Sequence, residues 1–384
     1  MAIELEKILK EARDKEASDV HLKPGRPPVL RIHGKLYPQD HYPIIRPEDT
    51  EALIKKHLTP IKLKELEEKM SADLAFSFSG IGRFRVNVYR QRGTWAFAIR
   101  AIPPFVKTIR ELNLPKVLEK LALEDRGLIL VTGVAGSGKS TTLAAMLDHI
   151  NRIKTVNIIT IEDPIEYVLR DEKSIIAQRE IGLDTRSFAD GLREALRQDP
   201  NVIMVGEIRD RETAEIALLA AETGHLVFST LHTLDATETI NRIVSLFPPY
   251  QQEQIRLQLA SVLRATISQR LIPRDDTFGR IPACEVMVNT ARIREMIIDP
   301  KRTHEIADAI ADGYIPYGMQ SFDQSLFYFW KLGVISKQTA LENASKREML
   351  ELRMKGIAGG EGGKNWEIFE RMAIRESRDR LKGG

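Results

Sequence analysis

The order of apolar and polar positions divides the chain into two parts. In residues 1–102, apolar residues recur at helical spacing at the start of the chain and again near 48–58 and 60–70. Apolar and polar residues then alternate over 73–100, as they do in the strands of a β-meander. We therefore expect residues 1–102 to form a small α+β domain.

A break at residues 103–113, opened by two prolines, is typical of a linker. Beyond it, residues 114–355 contain short apolar runs that alternate with helical stretches, which predicts an α/β domain with a parallel sheet covered by helices. After about residue 250 the pattern becomes mainly helical, so we expect this domain to end in helices. The strand-like runs lie at 127–131, 156–161, 202–205 and 226–229.

Residues 356–384 have the composition of a flexible linker followed by a tail. The linker is rich in glycine, and the tail carries Trp366, Phe369, Met372 and Ala373 at helical spacing. One interpretation is a loosely docked or disordered terminus, and the other is an amphipathic helix for a partner or a membrane surface. The tail closes with Arg375, Arg378, Arg380 and Lys382.

The most specific pattern is Gly-Val-Ala-Gly-Ser-Gly-Lys-Ser at Gly133–Ser140, directly after an apolar run. It matches a phosphate-binding loop, in which glycines turn backbone N–H groups toward a phosphate at the start of a helix, here expected over Ser140–Asn151. Lys139 is expected to reach the β- and γ-phosphates, and the Ser140 hydroxyl to help hold Mg²⁺. A plain glycine-rich turn is the alternative, but strand, loop and helix agree, so we predict an ATP site. Its residues are Gly133, Val134, Ala135, Gly136, Ser137, Gly138, Lys139, Ser140 and Thr141.

Two carboxylates close apolar runs of strand length. Glu162 ends one run, and Glu207 ends another at the Walker B position, where Gly206 stands in place of the common aspartate. Because phosphate ligands collect at the carboxyl ends of parallel strands, we assign Glu162 as general base for water and Glu207 as ligand of Mg²⁺ and water. The sequence does not separate the two roles, and an acidic loop that solvates a strand end is the alternative for Glu162.

Two histidines flank the last strand-like run. His232 follows the run, and we predict that it senses the γ-phosphate. His225 precedes the run and is assigned to the nucleotide site as a secondary candidate. For either histidine, a purely structural role is the alternative.

Composition narrows the classes of function. Basic residues number 57 and acidic residues 54, giving a formal net charge of +3, so no strong basic surface for nucleic acid is expected. The single cysteine, Cys284, rules out an internal disulfide and a cysteine-based zinc site. No apolar stretch reaches 18 residues and the start is unlike a signal peptide, so we expect a cytoplasmic protein.

With these segments in order, the chain resembles the secretion-superfamily ATPases. It is most similar to the retraction ATPases of type IV pili, the PilT-type and PilU-type twitching-motility ATPases. The resemblance runs from residue 1 to about 350. It is carried by Gly133–Leu147, Thr160–Glu166 and Val202–Leu231, with further similarity at Ala17–Leu22 and Gly318–Gln324.

The resemblance implies a PAS-like N-terminal domain and a RecA-like ATPase domain assembled into a homohexamer, with each site at a domain or subunit junction. It also implies that Arg83 and Arg85 approach the phosphates, although a solvated basic strand face is the alternative. The implied partners are the pilus platform protein at the inner membrane, where the motor would dock peripherally, and a second retraction ATPase.

The chain departs from the retraction family at Thr290–Ile297, which matches a signature of that family only in part. Assembly and type II secretion ATPases are longer and carry a four-cysteine zinc element, which this chain lacks. The alternatives to a primary retraction motor are an accessory retraction ATPase, a RecA-like nucleic-acid translocase and a regulated structural ring with low turnover.

Overall fold

The structure is a computed structural model that describes residues 3–102, 105–357 and 363–382. The chain forms two compact units. The first contains the residues up to Val106 together with Asp163–Val168 and Glu180–Asp184, and the second contains the remainder. No helix among the described residues is long and apolar enough to span a bilayer.

The first unit is built on a six-stranded antiparallel sheet with strand order β3-β2-β1-β6-β5-β4. Alternation along the long strands buries one face, which includes Phe84, Val86 and Val88, against the helices. The α+β expectation is confirmed. The elements are α1 (Leu5–Asp14), β1 (Asp19–Leu22), β2 (Val29–Ile32), β3 (Lys35–Pro38), α2 (Pro47–His57), α3 (Pro60–Lys69), β4 (Ser71–Phe78), β5 (Gly82–Gln91) and β6 (Thr94–Ala101).

The second sheet has seven strands in the order β13-β12-β7-β11-β10-β8-β9. Its strands are β7 (Gly127–Thr132), β8 (Asn157–Glu162), β9 (Ile175–Glu180), β10 (Val202–Val205), β11 (Leu226–Leu231), β12 (Leu263–Pro273) and β13 (Arg280–Val288). The ladder from β8 through β10, β11 and β7 to β12 is parallel, and β13 runs antiparallel to β12. The parallel strands therefore place their carboxyl ends at one edge, as expected for the RecA-like part.

Helices follow and cover these strands. They are α4 (Val117–Ala122), α5 (Lys139–Ile153), α6 (Phe188–Ala195), α7 (Arg211–Glu222), α8 (Ala236–Ser245), α9 (Gln252–Val262), α10 (Ala291–Ile298), α11 (Ile306–Asp312), α12 (Tyr314–Tyr317), α13 (Phe322–Lys331), α14 (Lys337–Glu342), α15 (Arg347–Met354) and α16 (Gly363–Lys382).

The expectation of a mainly helical segment after residue 250 was wrong for β12 and β13. Most side chains of both strands are buried. Apolar and polar residues nevertheless alternate over residues 263–268 of β12, which is a strand pattern that the expectation passed over. The two strands extend the sheet beyond β7 and place polar residues of β12 beside the segment that follows β7.

The tail forms α16, and its apolar face packs within the second unit on α13. The Trp366 and Phe327 rings meet edge to face at 5.3 Å, and Phe369 is buried with its ring 4.4 Å from that of Tyr314. The Lys331 Nζ lies 2.6 Å from a Glu370 carboxylate oxygen. The apolar stripe predicted for a partner or membrane surface is thus used inside the chain. Part of the predicted linker, residues 358–362, lies outside the described residues.

Candidate functional site

The segment Gly133–Ser140 forms a tight loop between β7 and α5. Gly133, Gly136 and Gly138 have φ angles of +143°, +76° and +93°, which side-chain-bearing residues rarely adopt. This backbone brings the chain from the carboxyl end of β7 into the start of α5 at Lys139. The strand, loop and helix predicted from the sequence are present, with the helix beginning one residue earlier and ending two residues later than expected.

The loop has the features of an anion cradle. The Lys139 ammonium donates to the carbonyl oxygens of Gly133 at 2.8 Å and Val134 at 3.1 Å, so its charge lies over the loop. The Ser137 hydroxyl is buried, and the described residues offer it no hydrogen-bond partner. Curled backbone N–H groups, a helix N-terminus and a positioned lysine fit a phosphate group.

Glu162 is the last residue of β8, and its contacts include two uncharged donors. One of its carboxylate oxygens accepts from the Thr160 hydroxyl at 2.6 Å and from the Gln178 amide at 3.0 Å. The Gln178 oxygen in turn accepts from the Leu169 N–H at 2.8 Å, which fixes the orientation of that amide. Only 8% of Glu162 is exposed, so its carboxylate has little freedom to move.

Glu207 follows β10 by two residues and contacts two donors that carry or can carry positive charge. The Arg209 guanidinium donates to one carboxylate oxygen at 2.7 Å, and the His232 Nε2 lies 3.3 Å from the other. Sequence analysis predicted both Glu207 and His232 but not their contact. Arg209 was not predicted at all.

The sheet order explains how these groups meet. Strands β8, β10, β11 and β7 are successive parallel neighbours, so the residues that follow them share one edge of the sheet. Glu162, Glu207, His232 and the phosphate loop therefore line one edge, as the sequence predicted.

His225 lies elsewhere. It precedes β11, whose first residue pairs with the first residue of β7, so it sits at the opposite edge from the phosphate loop. Seven residues of extended chain place it roughly 20 Å from His232. Its Nδ1 lies 2.9 Å from the Ala220 carbonyl oxygen. The structure thus does not bring His225 to the predicted nucleotide site, and we leave it out of the site proposed below.

The chemistry of the donors fits Mg²⁺ only if a nucleotide supplies further ligands. Ser140 lies in the first turn of α5 and Glu207 lies at the same edge of the sheet, and both offer oxygen atoms. Within the described ranges, no group of three or more His, Cys, Asp or Glu side chains is arranged to hold a metal by itself. Mg²⁺ in nucleotide sites takes most of its ligands from phosphates and water, which this donor set permits.

Arg83 and Arg85 lie on β5 in the first unit and face carboxylates of that unit. Arg83 forms an ion pair with the buried carboxylate of Glu180, which also accepts from the Ile165 N–H at 3.2 Å. Arg85 is partly exposed and lies 3.8 Å from Glu166. Arg83 is therefore held by an ion pair with a buried carboxylate, whereas Arg85 has a longer contact with a partly exposed carboxylate.

Three further residues belong to the site although the sequence did not point to them. Gln178 supports Glu162, Arg209 contacts Glu207, and Gln269 of β12 is buried against the phosphate loop. β12 carries polar residues at 264, 266 and 268–270, so nothing in the sequence singles out Gln269 for a contact with the loop.

Similarity to known proteins extends over most of the chain. The family model described as "Type II/IV secretion system protein" matches residues 108–314. The type IV pilus retraction ATPase PilT of Pseudomonas aeruginosa is 43% identical over 328 residues, covering 85% of this chain and 94% of PilT. The type IV pilus ATPase PilU of the same organism is 38% identical over 353 residues, covering 92% of each chain.

Among solved structures, a crystal structure of the pilus retraction motor PilT with bound ADP superimposes with a TM-score of 0.82. It is 46% identical in sequence and covers 91% of this chain and 99% of that one. The family resemblance and the fold class inferred from the sequence are both confirmed. The chain therefore belongs to the type II/IV secretion ATPase superfamily and, within it, to the PilT/PilU-like type IV pilus retraction ATPases.

Proposed function

We propose that this ATPase hydrolyses Mg-ATP at the edge formed by the phosphate loop, Glu162, Glu207 and His232, and that hydrolysis powers retraction of a type IV pilus. The observation that carries the proposal is the meeting of Glu207 and His232 beside the loop, at the ends of neighbouring strands. A PilT relative that is 46% identical was crystallised with ADP, which supports a nucleotide at this edge.

In this proposal the phosphate loop binds the nucleotide phosphates. The N–H groups of the loop and the start of α5 neutralise the phosphate charge, and Lys139 turns from the loop carbonyls to the β- and γ-phosphates. Ser140 and Glu207 would hold Mg²⁺, which would supply charge stabilisation to the phosphates. Binding thus depends on groups that the fold already holds at one edge.

Glu162 orients a water molecule and accepts its proton during attack on the γ-phosphorus. Thr160 and Gln178 both donate to one oxygen of Glu162, which restricts the orientation of the carboxylate. His232 contacts Glu207 and senses the γ-phosphate, so its contact with Glu207 differs before and after hydrolysis. The change in this contact would couple the presence of the γ-phosphate to a structural change at the edge of the sheet.

The working state that we propose is a homohexamer docked on the cytoplasmic side of the inner membrane, against the platform protein of the pilus.

Arg83 and Arg85 would support phosphoryl transfer as additional positive charges. Comparison of two variants tests their roles. Arg83→Ala leaves the buried Glu180 unpaired and is expected to lower the unfolding free energy by about 3 kcal/mol.

Arg85 is partly exposed, so Arg85→Ala is expected to leave the thermal midpoint unchanged while lowering kcat at least tenfold. Turnover and thermal denaturation of both purified variants give the comparison. Normal turnover in Arg85→Ala would remove Arg85 from the catalytic set.

The experiment for the function as a whole places this protein in cells that lack every other retraction ATPase. Retraction measured on single pili is expected with the natural chain and is expected to be lost with Lys139→Ala. Lys301→Ala, at an exposed position after α10, is the matched control for removal of a lysine. Absence of retraction by a chain that hydrolyses ATP would overturn the primary-motor role.

A second candidate is an accessory retraction ATPase that depends on a primary motor. The similarity to PilU supports it, since it extends over 353 residues against 328 for PilT. Retraction that occurs only when the primary motor is also present would select this role. A nucleic-acid translocase would instead show ATP hydrolysis stimulated by DNA.

A further inference from the structure

Strand β12 lies directly beside the phosphate loop. It pairs with β7 so that Ser268 is opposite Thr132, the last residue before the loop, and the two hydroxyl oxygens are 3.0 Å apart. Gln269 is the next residue of β12. It therefore stands beside the point at which β7 ends and the loop begins.

Gln269 fills the space behind two glycines of the loop. A Cβ atom at Gly133 would lie 2.4 Å from the Gln269 carbonyl oxygen, and one at Gly138 would lie 2.8 Å from the Gln269 amide nitrogen. Both distances are shorter than any contact a methyl group tolerates. The first and last glycines of the loop thus owe part of their packing to one residue of β12.

The same side chain is bonded to the helix that follows. Its amide oxygen accepts a hydrogen bond of 2.7 Å from the Thr142 hydroxyl in the first turn of α5. Both side chains are buried, with Gln269 3% and Thr142 1% exposed. Because the oxygen faces Thr142, the amide nitrogen faces Gly138, and the short amide spans the loop and the helix.

We infer that Gln269 is a positioning residue of the nucleotide site, which sets the curvature of the phosphate loop by bracing Gly138 and the first turn of α5. The inference rests on the proposed function, since it assigns the loop to ATP. The N–H groups of the loop bind a phosphate well only while they all point toward it. A looser loop binds substrate and transition state less well by the same amount, which raises KM and leaves kcat nearly unchanged.

Two variants remove the brace from its two ends. Gln269→Leu is close in size to glutamine but has no amide, and Thr142→Val removes the hydroxyl without a change of shape. Thr266→Val is the matched control, because Thr266 is buried in the same strand and its hydroxyl has no partner among the described residues. The measurements are kcat and KM for ATP, with thermal denaturation of each chain without nucleotide.

We expect Gln269→Leu and Thr142→Val each to raise the KM for ATP roughly tenfold with kcat within threefold of the natural chain. The double variant should raise the KM no further than the more damaging of the two single variants does, because both changes break the same contact. Thr266→Val should keep the natural KM. If Gln269→Leu does not fold, the KM of Thr142→Val for ATP tests the inference by itself.

An unchanged KM in either folded variant would overturn the inference while leaving the proposed function intact. A fall in kcat and thermal midpoint without a rise in KM would overturn it equally, since that pattern indicates a structural role only. A natural chain that neither binds nor hydrolyses ATP would overturn the proposed function and this inference with it.

Discussion

Glu162 and Glu207 belong to neighbouring parallel strands of one sheet, yet the two carboxylates have opposite surroundings. The contacts of Glu162 include a hydroxyl and an amide, which are neutral, whereas Glu207 lies between a guanidinium and an imidazole. Neutral donors hold a carboxylate in place without cancelling its charge, while a guanidinium competes with any other cation for it. From this difference we expect proton transfer at Glu162 and cation binding at Glu207.

The largest expected effect is that of Glu162→Gln. The amide keeps the shape and can still accept from Thr160, but it cannot take a proton from water, so we expect kcat to fall roughly 10³-fold with the Kd for ATP unchanged. Steady-state turnover and equilibrium binding of ATP measure the two quantities. The control is Glu172→Gln, which neutralises a partly exposed carboxylate between β8 and β9. Turnover within tenfold of the natural chain would assign the base elsewhere.

The second largest effect is expected for Glu207→Gln. Loss of an anionic oxygen weakens the Mg²⁺ site, so the Mg²⁺ concentration for half-maximal turnover should rise roughly 30-fold. A Mg²⁺ titration at saturating ATP measures it. If Glu162→Gln instead shifts this concentration and Glu207→Gln does not, the two roles are exchanged.

A smaller effect is expected for Gln178→Leu, which removes the amide that holds Glu162. Glu162 loses the Gln178 donor and the Leu169 N–H loses its acceptor, so kcat should fall about tenfold without a change in the Mg²⁺ requirement. The same two assays apply. Natural turnover in the folded variant would show that the Thr160 bond alone positions Glu162.

The smallest expected effect is a decrease, rather than an increase, in the Mg²⁺ concentration that turnover requires. Arg209→Ala frees one oxygen of Glu207 from its guanidinium, so the Mg²⁺ concentration for half-maximal turnover should fall about threefold. Arg209 is well exposed, which keeps the effect small because solvent screens the pair. A rise in the Mg²⁺ requirement would mean that Arg209 holds Glu207 in the orientation that binds the metal.

The strand ends of the site were predictable because each one closes an apolar run. Gly133, Glu162, Glu207 and His232 all follow such runs, and parallel strands bring their ends together whatever the order of the sheet. His225 precedes a run rather than following it. Its distance from the phosphate loop therefore follows from strand polarity, a criterion that the sequence already offered.

The supporting contacts were not predictable for a different reason. Gln178 and Gln269 lie inside strands, and what they touch depends on which strands are neighbours. The placement of β9 beside β8 and of β12 beside β7 is decided by packing of the whole unit rather than by any local pattern. Strand β12 itself was open to prediction, because apolar and polar residues alternate over residues 263–268, and the expectation of helix after residue 250 passed over that alternation.

Docking of α16 on α13 has a consequence for anything that binds there. A helix joined to its own binding surface by a short tether acts as a ligand at a local concentration on the order of millimolar. A separate protein or peptide that uses the surface around Phe327 competes with that built-in ligand, and its apparent affinity is reduced by the fraction of chains in which α16 is docked. The chain thus carries a tethered competitor for one of its own surfaces.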